Sequence, residues 1–272
     1  MNIRYTIFDP TRNITLLTDT PVPRERQPLL AAELMRRLPA VEQVGFLEPP
    51  SLPGARLRLQ MMGGEFCGNA AMSAAVWLAE RDRQNGSPAS STAVLPLEVS
   101  GYPGVLRCRL EPLAEGGWSG TAAMPLPQRL GEAVLPGMGT VPAVYFPGIV
   151  HCVVPAGDMT RAQAEAAIRP LCAALGANAC GILLWNEAAS AFTPLVYVAS
   201  SGTLVWESGC GSGSAALGVY LTARAGGSRT VSLRQPGGVI TVHADWDGQS
   251  VAALSITGRV CRLEGGEMPV SV

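Results

Sequence analysis

Cys67-Gly-Asn-Ala-Ala-Met-Ser-Ala-Ala-Val-Trp-Leu-Ala-Glu-Arg81 lies over Cys210-Gly-Ser-Gly-Ser-Ala-Ala-Leu-Gly-Val-Tyr-Leu-Thr-Ala-Arg224 without a gap. Five of the fifteen positions are identical, and Trp77 pairs with Tyr220. The offset of 143 is about half of the 272-residue chain. Each segment follows strand-like sequence and reads as an Ala-rich helix that opens on Cys-Gly, over Gly68 to Arg81 and Gly211 to Ala225. Self-similarity at this spacing predicts two similar halves. The expected class is α/β, with one cysteine at the start of one helix in each half.

The flanking sequence fits. Ile3 to Phe8 and Ile14 to Leu17 alternate as a hairpin around Asp9-Pro-Thr-Arg-Asn13. Pro28 to Leu38 has helical spacing. Ala55 to Met61, Val94 to Ser100 and Val105 to Leu110 read as strands. The pattern then restarts with strands at Val141 to Phe146 and Val150 to Val154. Arg161 to Leu175 follows as a helix, with Pro170 as a kink or early end. Gly181 to Trp185, Pro194 to Ala199, Thr203 to Trp206, Thr230 to Arg234, Val239 to His243 and Val251 to Ile256 are further strands. The stretch from 116 to 139 holds many Gly and Pro residues. It predicts a boundary near Pro125–Pro127, giving halves 1–126 and 127–272, with the last residues free to return to the first half.

Composition narrows the function. Hydrophobic residues make up 47% and charged residues 15%, enough to build a core and against wholesale disorder. A net charge of −1 offers no field for nucleic acid or an anionic membrane surface. No stretch reads as a bilayer span, and Asp9, Pro10 and Arg12 interrupt any secretory h-region. All 20 basic residues are Arg. Without Lys there is no Schiff-base partner for pyridoxal phosphate, no Walker lysine and no lysine aldolase chemistry. The seven cysteines are odd in number and contain no CxxC pair, and there are two His, so a reduced, cytoplasmic protein without a structural metal is expected.

Cysteines at helix starts have a specific chemistry. The first turn of a helix offers unpaired N–H groups and the positive end of the macrodipole. A thiolate there is stabilised, so its pKa is expected to fall. The same N–H groups hold a carboxylate, and Gly68 and Gly211 let a ligand approach the backbone. Two such thiols flanking one anion-binding cleft suit inversion of a carbon next to a carboxylate. One thiolate removes the α-proton from one face, and the other thiol returns a proton to the opposite face. That reaction asks for no cofactor and no metal.

The motifs Gly64-Glu-Phe-Cys-Gly-Asn-Ala70 and Glu207-Ser-Gly-Cys-Gly-Ser-Gly213 resemble the paired catalytic motifs of the diaminopimelate epimerase and proline racemase superfamily. Asp9-Pro-Thr-Arg-Asn13 resembles that superfamily's first hairpin, and Pro147-Gly-Ile-Val-His151 resembles the opening of its second half. The resemblance implies two pseudo-symmetric halves, each a β-roll around a central helix. It implies a cofactor-independent amino-acid racemase or epimerase acting on a small amino acid, with Cys67 and Cys210 catalytic, and a homodimer as a frequent form. It also implies substrate contacts from Asn13, Glu65, Gly68, Asn69, His151, Glu207, Gly211 and Ser212.

Departures from the superfamily pattern bear on the substrate. Diaminopimelate epimerases carry Glu-Arg ahead of the second cysteine, and that Arg binds the distal carboxylate. Here the region reads Ala199-Ser-Ser-Gly202. Ile149 and Val150 stand where an Asn is usual. Diaminopimelate is therefore disfavoured. The Gly-Gly-Glu-Phe-Cys-Gly-Asn form is most similar to histidine racemases of staphylopine-type metallophore synthesis. Glu65 or Glu207 would then bind an imidazole N–H. Proline or hydroxyproline racemases remain alternatives. So do phenazine-biosynthesis-type isomerases, which lack the two thiols, and a binding protein that keeps the cleft without chemistry.

Single residues have plainer explanations too. Asn69 and Ser212 suit helix starts, Asn13 suits a turn, and His151 suits a hydrogen-bonded core. Arg58 alternates with Leu57 and Leu59, which predicts an exposed strand face. The other five cysteines read as structural, and His243 as a strand residue without a role.

Overall fold

The computed structural model describes residues 1–86 and 92–270. Its contacts divide the chain into two units. One comprises Met1–Ala123 and the chain from Thr257 on, and the other Met124–Ile256.

The first unit opens with β1 (Asn2–Pro10) and β2 (Thr15–Thr18), an antiparallel hairpin. Helix α1 (Gln27–Arg37) returns the chain to β3 (Gln43–Glu48), parallel to β2, and β4 (Leu57–Met61) pairs back antiparallel. Helix α2 (Gly68–Gln84) then leads to β5 (Ala93–Val99), parallel to β4. β6 (Val105–Pro112) and β7 (Trp118–Ala123) complete an antiparallel run. The second unit begins with β8 (Arg129–Leu135), β9 (Gly139–Phe146) and β10 (Ile149–Pro155), all antiparallel neighbours. It continues through α3 (Arg161–Leu175), β11 (Ala179–Asn186), β12 (Ala191–Val198) and β13 (Thr203–Trp206). Helix α4 (Gly211–Ala225), β14 (Arg229–Gln235) and β15 (Gly238–Trp246) follow. The last strand, β16 (Val251–Pro269), starts in the second unit and ends in the first.

The halves repeat one topology. In each, an outer helix joins a hairpin to a strand parallel with its second member, β2–β3 and β10–β11. In each, an antiparallel neighbour precedes the cysteine-headed helix, and a strand parallel to that neighbour follows, β4–β5 and β12–β14. The inserted β13 hairpin is a feature of the second half. In the first unit, β16 lies next to β7 and pairs antiparallel with β1, which closes the strands on themselves. Helix α2 packs against β1, β2, β4, β5, β6 and β7, and α4 against β9, β10, β11, β14 and β15. The fold is thus mixed α/β, with strands curling around a central helix in each of two pseudo-symmetric halves.

Period-two alternation sorts each strand into two layers. Val150, Cys152 and Val154 of β10 join Cys180, Ile182 and Leu184 of β11 in a core with Ala164, Ile168 and Leu171 of α3. The intervening residues face α4: a Cβ at Gly213 would meet Leu183, and one at Gly181 would meet His151. The first half is built alike, with Leu16, Val44 and Phe46 under Leu30 and Leu34 of α1. The central helices are rich in small residues because strands press on them closely. A Cβ at Gly120 would lie 3.1 Å from Met72, and one at Gly218 2.4 Å from Val242.

Several expectations change. β3, β7 and β8 do not emerge from sequence periodicity. β16 runs well past Ile256. Helix α3 runs from Arg161 to Leu175 as its spacing predicts, and of the two alternatives for Pro170 only the early end is ruled out. A proline inside a helix costs about 3 kcal/mol. Against it stand a capping box, in which Thr160 and Gln163 satisfy each other's backbone N–H, a left-handed Gly176 at the C-terminus, and burial of Ile168 and Leu171. Arg58 is not on a free strand face. Its side chain is 26% exposed and pairs with Glu98 and Glu48.

Candidate active site

Each cysteine-headed helix begins with the cysteine itself as N-cap. Cys67 is extended, with φ −135° and ψ 113°, and its Sγ accepts the N–H of Ala70 at 3.4 Å. Cys210 is extended, with φ −95° and ψ 106°, and its Sγ accepts the N–H of Gly213 at 3.2 Å. Sulfur here takes the place that a Ser or Asp oxygen takes in an ordinary cap. The first-turn N–H groups of a helix have no partners within it. Both helix starts can therefore receive an anion beside the thiol.

In the first unit the turn between β1 and β2 presents Asn13. Thr11 and Arg12 adopt left-handed φ values of 57° and 62°, and Arg12 N–H donates to Asp9 Oδ1 at 2.5 Å. A β-branched residue in that region is strained. The turn leaves Asn13 Oδ1 accepting from Asn69 Nδ2 at 3.1 Å and from Gln43 Nε2 at 2.6 Å. Asn13 Nδ2 in turn donates to Glu42 Oε2 at 2.9 Å. Burial holds the Glu42 carboxyl above its ordinary range against that hydrogen bond. The structure thus brings Asn13, Asn69 and the Cys67 helix start together. Gly68 is buried at the head of α2. Glu65 is exposed, and its backbone carbonyl accepts from Ser100 Oγ at 2.8 Å, which anchors the loop ahead of Cys67.

In the second unit the corresponding partner of the helix start is His151. Its Nε2 lies 3.0 Å from Ser212 Oγ, and Ser212 Oγ lies 3.5 Å from Cys210 Sγ. His151 is fully buried, and burial pushes its pKa down to about 3. Cys210 is 3% exposed. Burial raises its thiol pKa well above the ordinary value, and the Glu207 carboxylate, hydrogen-bonded to it, raises it further. Ser212 and the Gly213 N–H oppose this without overcoming it. The expectation of a depressed pKa at this helix start is therefore corrected for Cys210, because loss of water outweighs the helix field. Gly211 is buried at the head of α4.

Sequence reasoning misses the residues that hold these groups. Gln235 Oε1 accepts the Cys210 N–H at 2.7 Å, and Gln235 Nε2 donates to Ser214 Oγ at 2.9 Å. Glu42 and Gln43 play the same part around Asn13. Each sits on or beside a strand with no motif around it. The remaining cysteines are free: Cys108, Cys152, Cys172 and Cys180 are buried, and Cys261 is partly so. The second His of the chain, His243, lies on β15, with Nδ1 3.1 Å from Thr230 Oγ1 on the neighbouring strand.

Comparison with known proteins decides the family. Residues 2–267, spanning both halves, match the family described as the histidine racemase CntK N-terminal domain. The chain belongs to the histidine racemase family. A histidine racemase of Staphylococcus aureus is 27% identical over 279 residues, with 97% of each chain covered. One from Fusobacterium nucleatum is 30% identical over 226 residues, covering 79% of this chain and 78% of its own. Among solved structures, a hydroxyproline epimerase from Agrobacterium vitis superposes with a TM-score of 0.70 at 15% identity, covering 98% of this chain and 92% of that one. A phenazine-biosynthesis family protein from Bacillus anthracis gives 0.70 at 14% identity, covering 99% and 100%. These structures share the fold of this racemase. It is an isomerase of the amino-acid racemase class, and no described helix is long and apolar enough to cross a membrane.

Proposed function

We propose that this racemase interconverts L- and D-histidine without a cofactor, with Cys67 and Cys210 as the two acid–base groups. One observation carries the reading: each half heads its central helix with a cysteine whose sulfur caps that helix. The first-turn N–H groups beside each sulfur suit the substrate carboxylate and the negative charge that spreads onto it as the α-proton leaves. The thiolate takes that proton, and the other thiol gives its own to the opposite face. The two sulfurs exchange protonation states in each turnover, so the return reaction uses the same atoms in reverse. The high thiol pKa of Cys210 makes it the protonated partner at rest.

Asn13, Glu65, Gly68, Asn69, His151, Glu207, Gly211 and Ser212 complete the proposed site. Asn69 and Ser212, each two residues beyond a thiol, are fixed by Asn13 and His151 respectively. Glu207 and Glu65 are the proposed acceptors for the imidazole N–H. An odd count of seven cysteines with no CxxC pair suits a reducing compartment, so the proposed location is the cytoplasm. The motif resemblance supports supply of D-histidine to metallophore synthesis.

The test is proton NMR of the reduced enzyme in D2O, with L-histidine, L-proline and diaminopimelate offered together. L-histidine alone should convert. Early D-histidine should carry deuterium at Cα while remaining L-histidine keeps its proton, as two separate bases require. Cys67→Ala and Cys210→Ala should each abolish conversion. Turnover of another amino acid in place of histidine, or deuterium entering both enantiomers at one rate, would overturn the reading.

A further inference from the structure

We propose that Gly63 is a positioning residue for the choice of substrate: having no side chain, it lets the Glu65 carboxylate fold back across its Cα, and from that pose the carboxylate accepts the imidazole N–H of histidine. The proposal rests on the reading of Glu65 as an acceptor for that N–H.

Gly63 and Gly64 stand side by side in the loop between β4 and α2, and they are glycine for different reasons. Gly64 is left-handed, with φ 77°, a conformation that suits glycine and few other residues. A Cβ there would meet nothing nearer than Gln60 Nε2 at 3.7 Å. Gly63 is not left-handed, so its φ does not bar an L side chain. What a side chain would meet is Glu65. A Cβ at Gly63 would lie 2.5 Å from Glu65 Oε2 and 3.4 Å from its Cδ. The carboxylate therefore occupies the space that any other residue at this position would fill.

The main chain of Glu65 is held from the other side. Ser100 is buried, and its Oγ accepts the Met61 N–H at 3.0 Å and donates to the Glu65 carbonyl at 2.8 Å. Gly101 presses on the same stretch, where an added Cβ would come within 2.5 Å of Phe66 N and 2.9 Å of the Glu65 carbonyl carbon. Gly64 N–H donates to the Met61 carbonyl at 2.9 Å, which closes the turn. With the main chain fixed, a side chain at position 63 would be relieved by the exposed carboxylate swinging away. In its present pose that carboxylate has no hydrogen bond or ion pair among the described residues. A carboxylate held by shape and left without a partner is a preorganised acceptor. Neutral imidazole has one ring N–H to give it, whereas the side chain of proline has no donor. Glu65 stands two residues before Cys67, so its pose bears on the side chain of a substrate whose α-carbon meets that thiol.

The test is histidine kinetics in both directions. Gly63→Ala should raise KM for L- and D-histidine about tenfold, the loss expected for one hydrogen bond to a charged group, with kcat within about twofold because the ring lies away from the reacting carbon. Glu65→Ala should do the same. Gly63→Ala added to Glu65→Ala should change KM no further, because the carboxylate it displaces is gone. A merely structural glycine would instead lower kcat and lose as much in either background. A crystal structure of Gly63→Ala should show the carboxylate swung off position 63 and the chain from Met61 to Cys67 unmoved. An unchanged KM in Gly63→Ala, or an equal further loss on top of Glu65→Ala, would overturn the proposal. If Glu65→Ala leaves KM unchanged, the reading of Glu65 falls and takes the proposal with it. If Glu65→Ala raises KM and Gly63→Ala does not, that reading stands and the proposal alone falls. Should Gly63→Ala fail to fold, recovery of the fold in the double variant supports the collision with the carboxylate, and no recovery overturns it.

Discussion

Among single residues, His151 makes the stability of the fold depend on pH. Folded His151 takes up a proton only near pH 3, whereas an unfolded histidine does so near 6.5. Between those values the unfolded chain binds more protons, so stability is complete above about pH 6.5 and declines as pH falls towards 3. The loss from this one residue is a few kcal/mol in all. Urea unfolding at stepped pH should show the decline, and His151→Gln should flatten it. An equal decline in that variant would assign the effect to other groups. Cys67 and Cys210 are legible as a pair because a repeated Cys-Gly at a helix start is rare enough to read. The protonation bias of Cys210 is not legible. It depends on burial and on Glu207, three residues earlier along the chain but set beside the sulfur by the bend into α4.

Among the helices and strands, the strongest constraint is how closely strands approach the central helices. Helix propensity alone would make Gly218→Ala stabilising by about 1 kcal/mol. In α4 the new Cβ would lie 2.4 Å from Val242 Cγ1, a fully buried β-branched side chain with no room to turn. Overpacking of this kind costs about 1–3 kcal/mol, so the clash wins. Thermal melting should show a clear drop in Tm for Gly218→Ala; a rise would mean that α4 can move away from β15 freely. The helices themselves read well from sequence, α3 and α4 to the residue, since spacing and capping are local signals. β3, with the pattern Gln-Val-Gly-Phe-Leu-Glu, escapes notice because both of its faces are covered, which erases alternation. β7 and β8 escape it because the Gly and Pro content of their neighbourhood reads as a connection.

For the whole molecule, chain order and spatial order differ at one place. β16 begins in the second unit and ends paired with β1, from Asn2 opposite Pro269 to Pro10 opposite Val260. The first unit therefore needs the end of the chain to close its strands. Ending the protein after Ile256 would expose the hydrogen-bonding edge of β1 and the core under Ile3 and Ile7. Such a truncation should unfold the first unit and abolish racemisation, seen as lost cooperativity in circular dichroism melts. Full activity in the truncated protein would refute the dependence.

The duplication, the α/β class, the two helix-start thiols and the absence of any lysine chemistry are all written in the order of the amino acids. They follow from periodicity, capping and composition, which act over a few neighbouring residues. The partners emerge once the chain is folded: Asn13 with Asn69, Gln43 and Glu42, His151 with Ser212, and Gln235 with Cys210. So do the return of β16 to β1 and the direction of the Cys210 pKa. These depend on burial and on groups brought together from distant positions, which no local pattern encodes.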